Sequence, residues 1–101
     1  MNNFDIVLLV HEQLSEIGVC NYIKTRKGYR IFLNDTLIAI VCNQFLYVKM
    51  TQEGRALLDR PVILPPYIGA VYHIRISDVK NFSNWVHLAE TTYKSLSKMP
   101  R

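Results

Sequence analysis

The stretch GYRIFLNDTLIAIVCNQFLYVKM, residues 28–50, decides the fold of this chain. It holds three runs rich in β-branched and aromatic residues, at residues 29–33, 36–42 and 45–50. Only Asn34-Asp35 and Asn43-Gln44 separate these runs, and strands joined by two-residue polar turns are typical of an antiparallel meander. The middle run, TLIAIVC, is apolar on both faces, which indicates a central strand that a helix covers on at least one side.

The residues before this stretch follow a helical period. Apolar side chains on one stripe predict a helix over residues 3–17, with Asn2 or Asn3 as its N-cap. The stripe consists of Ile6, Val7, Val10, Leu14 and Ile17. Residues 22–26 are predicted to form a further strand, which leads into the basic segment KTRKGYR at residues 24–30.

After residue 50 the strand pattern ends. Thr51 can cap a short helix that runs to about Asp59, and an acidic residue in its first turn suits the helix dipole. The run RPVILPPYIGA, residues 60–70, contains three prolines, which exclude a regular helix there. This run still allows a strand at residues 62–64.

The last third of the chain completes the predicted fold. Residues 71–76 alternate in polarity and predict a final strand, and residues 83–97 predict a closing helix. The apolar stripe of that helix consists of Trp85, Leu88, Ala89, Thr92 and Leu96. We therefore predict an α+β fold in one domain, residues 1–101. An antiparallel sheet of about four to six strands packs with an N-terminal helix, a C-terminal helix and one short helix.

The composition is that of an ordinary soluble globular domain, with half of the residues apolar and a fifth charged. The net charge of +4 permits an anionic partner without requiring one. Cys20 and Cys42 have no CxxC spacing, which favours reduced thiols. The N-terminus lacks the basic segment of a signal peptide, and the apolar run at residues 6–10 is too short to cross a membrane. We therefore predict a cytoplasmic location and no membrane partner.

Motifs of catalysis and metal binding are missing from the sequence. The segment HEQLS begins like a zinc-protease motif, but Ser15 stands where HExxH requires histidine. No His or Cys pair has the spacing of metal ligands, and neither GxSxG nor a glycine-rich phosphate loop occurs. We therefore predict a protein that is not an enzyme, with no catalytic residue, no metal and no cofactor. An enzyme or small-ligand binder whose site is assembled only in three dimensions is the open alternative.

Four of the twelve basic residues fall within residues 24–30, interrupted by a glycine and a tyrosine. They are Lys24, Arg26, Lys27 and Arg30. One hypothesis is direct nucleic-acid binding, in which these cations bind phosphates and Tyr29 stacks on a base. Alternation along a strand predicts a shared face for Lys24 and Arg26, with Lys27 on the other face. The competing interpretation is that the charges only solubilise a hairpin edge and discourage edge-to-edge pairing.

Three segments together resemble the N-terminal domain of the TfoX/Sxy family of competence regulators. The segment EQLSEIGVC is similar to the family's first helix and its glycine exit, and GYRIFLNDTLIAIVCNQFLYVKM is similar to its hairpin series. PPYIGAVYHI and NWVHLAETTY are similar to its Pro-Tyr loop, last strand and closing helix. Of the family's Met-Phe-Gly-Gly stretch and the tyrosine after it, Gly28 and Tyr29 are present. The helical C-terminal domain of full-length family members has no counterpart in these residues.

This resemblance implies an α+β domain with a role in bacterial competence gene control, acting with the cyclic-AMP receptor protein at certain promoters. We therefore expect a non-enzymatic regulatory or interaction module that contacts a transcription-related protein. The apolar segments at residues 6–10 and 62–67 and the basic hairpin are its candidate contact surfaces. DNA is the alternative partner, and an edge strand or the first helix offers a surface for a homodimer.

Overall fold

The computed structural model of the chain describes residues 1–81 and 84–98. Its helices are α1 (Asn3–Leu14), α2 (Gln52–Ala56) and α3 (Trp85–Ser97), with a 3-10 turn at Val79–Asn81. Its strands are β1 (Cys20–Thr25), β2 (Gly28–Leu33), β3 (Thr36–Cys42), β4 (Phe45–Lys49), β5 (Val62–Leu64) and β6 (His73–Ile76). The predicted α+β class, with an N-terminal, a short and a C-terminal helix on an antiparallel sheet, is confirmed.

The six strands form one antiparallel sheet in the order β1-β2-β3-β4-β6-β5. The first four strands are neighbours in sequence and in space, which confirms the predicted meander. The turns at Asn34-Asp35 and Asn43-Gln44 place both of their residues at positive φ, between 48° and 68°. This is the type I′ geometry whose twist matches that of the flanking strands, so the two turns set the pairing next to them. Farther from its turn, the β2–β3 register shifts by one residue between Ile31 and Phe32.

The helices cover one face of the sheet. Side chains of β2, β3, β4 and β6 on this face enter a core shared with α1 and α3. At the register shift between β2 and β3, the adjacent residues Ile38 and Ala39 both belong to this core. The fully buried core side chains of these elements include Val7, Val10, Leu14, Ile31, Ala39, Val41, Leu46, Val48, Ile74, Trp85 and Leu88. The strand TLIAIVC is central and helix-covered, as predicted.

The opposite face of the sheet, called the outer face below, carries a row of side chains that crosses all six strands. Register places them side by side as Ile23, Arg30, Ile40, Tyr47, Arg75 and Val62. Residues 65–72, which we call the proline loop, connect β5 to β6 and fold back over this row. Pro66 in this loop is buried, and Tyr67 lines a cavity together with Arg30 and Ile40. The outer face is therefore partly covered by the chain itself.

Several elements are shorter or begin elsewhere than predicted. The first helix ends at Leu14 instead of residue 17, because the next backbone N–H groups bond three residues back in a tight turn, as Ile17 does to Leu14 (3.0 Å). The first strand begins at Cys20, two residues earlier than predicted, because Cys20 pairs with Leu33. The short helix ends at Ala56, since the Leu57 and Leu58 amides bond only three residues back.

The final strand and the closing helix also differ at their starts. The strand begins at His73 instead of residue 71, because residues 71–72 belong to the proline loop and have no strand partner in β4 or β5. The closing helix begins at Trp85, and the predicted start at residue 83 lies outside the described residues. Among the helices of the described residues, none has the length and apolar character that a membrane crossing requires.

Candidate functional site

The basic segment forms the tip of the β1–β2 hairpin. The strand pairing closes at Thr25 and Gly28, so Arg26 and Lys27 form the two-residue turn between them. The Thr25 hydroxyl accepts a hydrogen bond from the Lys27 amide (3.3 Å) and donates one to the Gly28 carbonyl (3.2 Å). Gly28 has a φ of 154°, and its Cα lies tight against the backbone of β3. This arrangement holds two cations at the rim of the sheet.

The structure distributes the five predicted nucleic-acid residues over two faces. Lys24 pairs with Tyr29, on the face that α1 covers, whereas Arg30 belongs to the row on the outer face. Tyr29 is half-buried, with its ring centroid 6.0 Å from that of Phe4 and 6.2 Å from that of Tyr22. The prediction that Lys24 and Arg26 share one face of a strand is wrong, because β1 ends at Thr25 and Arg26 lies in the turn.

Three of the predicted cations instead converge on one depression of the outer face, which we call the basic cavity. It has a volume of about 320 Å³ and is lined by Thr25, Arg26, Lys27, Arg30, Ile40 and Tyr67. The ammonium group of Lys27 lies 4.1 Å from the ring centroid of Tyr67, within the range of a cation–π contact. The aromatic ring in this cavity is Tyr67 of the proline loop. Tyr29 instead lines a second hollow, on the helix-covered side of the hairpin tip, together with Lys24, Arg26 and Lys27.

The sequence places Tyr67 in the apolar segment 62–67, a candidate contact surface, but does not connect it with the basic segment. Tyr67 lies 40 positions after Lys27, and only the folding of the proline loop over the sheet brings the two together. The available signal was the isolated tyrosine that follows Pro65 and Pro66 in an otherwise apolar run. The two prolines restrict the backbone of the chain leading to Tyr67, but nothing local indicates the direction in which the tyrosine ring points.

Among residues 1–81 and 84–98, no carboxylate lines the basic cavity. The ion pair within 4.0 Å found in this part of the chain, Lys94 with Glu90 at 3.7 Å, lies on α3. The positive field also reaches the buried thiol of Cys42, whose pKa is raised by burial and lowered in part by the charge of Lys27. Burial raises the pKa of the Cys20 thiol as well. Both cysteines are therefore held as neutral thiols, and the site offers cations and aromatic surface in place of a nucleophile.

The outer face continues this pattern away from the basic cavity. The guanidinium carbon of Arg75 lies 4.5 Å from the ring centroid of Phe45, and Phe45 meets Tyr47 edge to face at 6.4 Å. Within residues 1–81 and 84–98, no three His, Cys, Asp or Glu side chains come close enough together to hold a metal ion. The arrangement is suited to binding an anionic group next to apolar surface.

No protein-family model, no curated protein and no solved structure matches this chain. The resemblance to the TfoX/Sxy family therefore stays an expectation based on the sequence segments.

The proline loop also covers a titratable group, His73, whose side chain is only 2% exposed. Its Nδ1 donates a hydrogen bond to the Val71 carbonyl (2.9 Å), while its Nε2 is buried without a partner among the described residues. Burial lowers the pKa of His73, the nearby charge of Lys49 lowers it further, and the bond to Val71 opposes both. The folded protein therefore favours the neutral imidazole.

Stability should accordingly depend on pH in a defined direction. Because the pKa of His73 is lower in the folded state, the unfolded chain binds more protons as the pH falls through 6.5. The contribution of His73 to the free energy of unfolding is therefore constant above pH 6.5. It decreases as the pH falls from 6.5 to the lower pKa that His73 has in the folded protein. Urea unfolding followed by circular dichroism between about pH 5 and pH 8 measures this. His73→Asn should flatten the profile, whereas the exposed-site variant His87→Gln should leave it unchanged; an identical profile in His73→Asn would contradict the assignment.

Proposed function

We propose that this chain is a non-enzymatic regulatory module that acts in the cytoplasm by binding another protein, with a role in bacterial transcription or competence control. The resemblance to the TfoX N-terminal domain supports the role in transcription or competence control. The outer face supports the mode of action, because it presents cations beside exposed apolar residues.

The basic cavity and the proline loop together carry this proposal. Arg26, Lys27 and Arg30 face an open depression without a carboxylate of their own. The adjoining loop exposes apolar side chains: Ile68 is 97% exposed, and Val71 and Tyr72 are also mostly in solvent. Exposed apolar residues beside a charged pocket are typical of protein contact sites. We therefore expect the partner to offer an acidic side chain flanked by apolar ones.

The chemistry of such a contact follows from the residue types. A guanidinium group binds a carboxylate with two parallel hydrogen bonds, and Arg30 is held in position by the strand beneath it. Tyr67 supplies a flat ring at the cavity wall, and the Ile68 side chain beyond it can enter an apolar depression of the partner. The contact needs no chemical step, only complementary charge and shape.

The cyclic-AMP receptor protein, which the family resemblance implies, is the partner to test first. We expect the purified chain to bind it in a fluorescence anisotropy titration, and Arg30→Glu to weaken binding about tenfold, or about 1.4 kcal/mol. Lys98→Glu makes the same change in net charge at the exposed end of α3 and should bind like the wild type. Equal weakening by both variants would show that net charge alone matters, and an absence of binding would contradict the proposal for this partner.

Direct nucleic-acid binding is the second candidate, because three of the proposed cations do line one cavity. The hypothesis names Lys24, Arg26, Lys27 and Arg30 as phosphate ligands and Tyr29 as the stacking ring. The titration distinguishes the two functions when labelled DNA replaces the protein partner. Nucleic-acid binding would weaken steeply with salt and would be reduced by Lys27→Glu, whereas the protein module needs no affinity for DNA alone.

A further inference from the structure

The two edges of the sheet are built differently. At one edge, β5 has only three residues and is flanked by Pro61 and Pro65, which cannot donate to an added strand. At the other edge, β1 has six residues and contains no proline, and among the strands of the described residues it pairs only with β2. Its second side therefore offers unpaired backbone N–H and C=O groups along its length. Such an edge is a template for a further strand.

Apolar side chains border the free edge of β1 on both faces of the sheet. On the helix-covered face, Phe4 and Leu8 of α1 and Tyr22 of β1 are exposed, with Leu8 at 48%. On the outer face, Ile23 is 56% exposed. Leu8 is the exposed residue of the run 6–10, because Ile6, Val7 and Val10 belong to the core and Leu9 packs against it. The edge thus combines open hydrogen-bonding groups with apolar surface.

We propose that this edge binds a second copy of the chain, with β1 paired antiparallel to β1 of the partner and α1 lying beside the partner's α1. The geometry favours this occupant because the edge is complementary to itself. The Tyr22 ring centroid lies 6.2 Å from that of Phe4 and 5.8 Å from that of His11. Tyr22 is therefore level with the middle of α1, where Leu8 lies. A twofold axis at Tyr22 places Leu8 against Leu8 of the second copy.

The charges along the edge are also self-complementary. Lys24 lies at the end of β1 near the start of α1, where it borders a surface hollow together with Asn2 and Phe4. Glu12, which is exposed, follows His11 in α1, and the contact of His11 with Tyr22 places this turn of the helix beside the other half of β1. An antiparallel arrangement of two copies brings Lys24 of each copy level with Glu12 of the other. A parallel arrangement would instead place like charges together, so the charge pattern selects the twofold pair.

The test is the mass of the purified full chain as a function of its concentration, measured by sedimentation equilibrium. We expect the mass to rise from that of one chain to that of two. Lys24→Glu and Glu12→Lys should each shift the chain to the monomer by placing like charges opposite one another, and the double variant should recover the dimer. The control variant Lys98→Glu makes the same charge change as Lys24→Glu at the exposed end of α3 and should dimerise like the wild type.

Hydrogen exchange supplies an independent readout of the same pairing. Amides of β1 that point to the free edge should exchange more slowly in concentrated than in dilute solution, while exchange in β5 stays the same. A chain that remains monomeric at all concentrations, or a double variant that does not recover, would overturn the proposal. These measurements contain no second protein and no DNA, so their outcome is separate from that of the proposed regulatory contact.

Discussion

Replacing Gly28 by alanine is expected to lower the free energy of unfolding by at least about 3 kcal/mol and to remove the basic cavity. Gly28 has a φ of 154°, and a Cβ at this position would overlap the carbonyl oxygen of Val41. Val41 cannot withdraw, because it is fully buried and β3 is paired on both sides. The hairpin tip would have to move away from the sheet, taking Arg26 and Lys27 with it. Urea unfolding followed by circular dichroism measures the loss.

Gly69→Ala is the matched control for the backbone component of this effect. Gly69 also has a positive φ, 93°, but a Cβ there would meet no atom within 4 Å. The strain of a left-handed conformation alone should cost about 1–2 kcal/mol. A loss in Gly28→Ala no larger than that in Gly69→Ala would mean that β3 gives way, and would contradict the tight packing of the hairpin against it.

The parts of the fold that sequence predicted well depend on neighbouring residues. Asn34 and Asn43 tolerate positive φ, so the turns that they begin were visible as short polar breaks between strands. The start of α1 also depends on neighbouring residues. Asn2 accepts a hydrogen bond from the Asp5 amide (2.9 Å), and the Asp5 carboxylate accepts one from the Asn2 amide (3.1 Å). Strand periodicity then assigned the meander.

The candidate site was predicted less well, because it depends on residues far apart in the chain. Adjacent residues of a strand point to opposite faces, so the sequence neighbours Tyr29 and Arg30 could not serve one surface. The proline loop then supplied Tyr67 by folding over the sheet, which no local pattern encodes. The run at residues 6–10 shows the same limit, since its hydrophobicity did not indicate that Leu8 alone would remain exposed.

Trp85→Ala is expected to destabilise the protein by about 4 kcal/mol, because Trp85 is 1% exposed and among the largest fully buried side chains. It lies in the first turn of α3, so it anchors the start of the closing helix to the core. Its indole N–H is buried without an acceptor among the described residues, which carries a cost of its own. Trp85→Phe removes this unpaired donor with little loss of apolar volume and should cost only about 1–2 kcal/mol.

The comparison of these two variants isolates the role of the indole nitrogen. Val86→Ala, at the next and half-buried position, controls for the general effect of truncation in this turn and should cost about 1 kcal/mol. Because Trp85 is the only tryptophan of the chain, unfolding is followed by circular dichroism and not by fluorescence. If Trp85→Phe proves as destabilising as Trp85→Ala, the indole N–H must be hydrogen-bonded, for instance to a buried water, and α3 is then fixed by a polar contact as well as by packing.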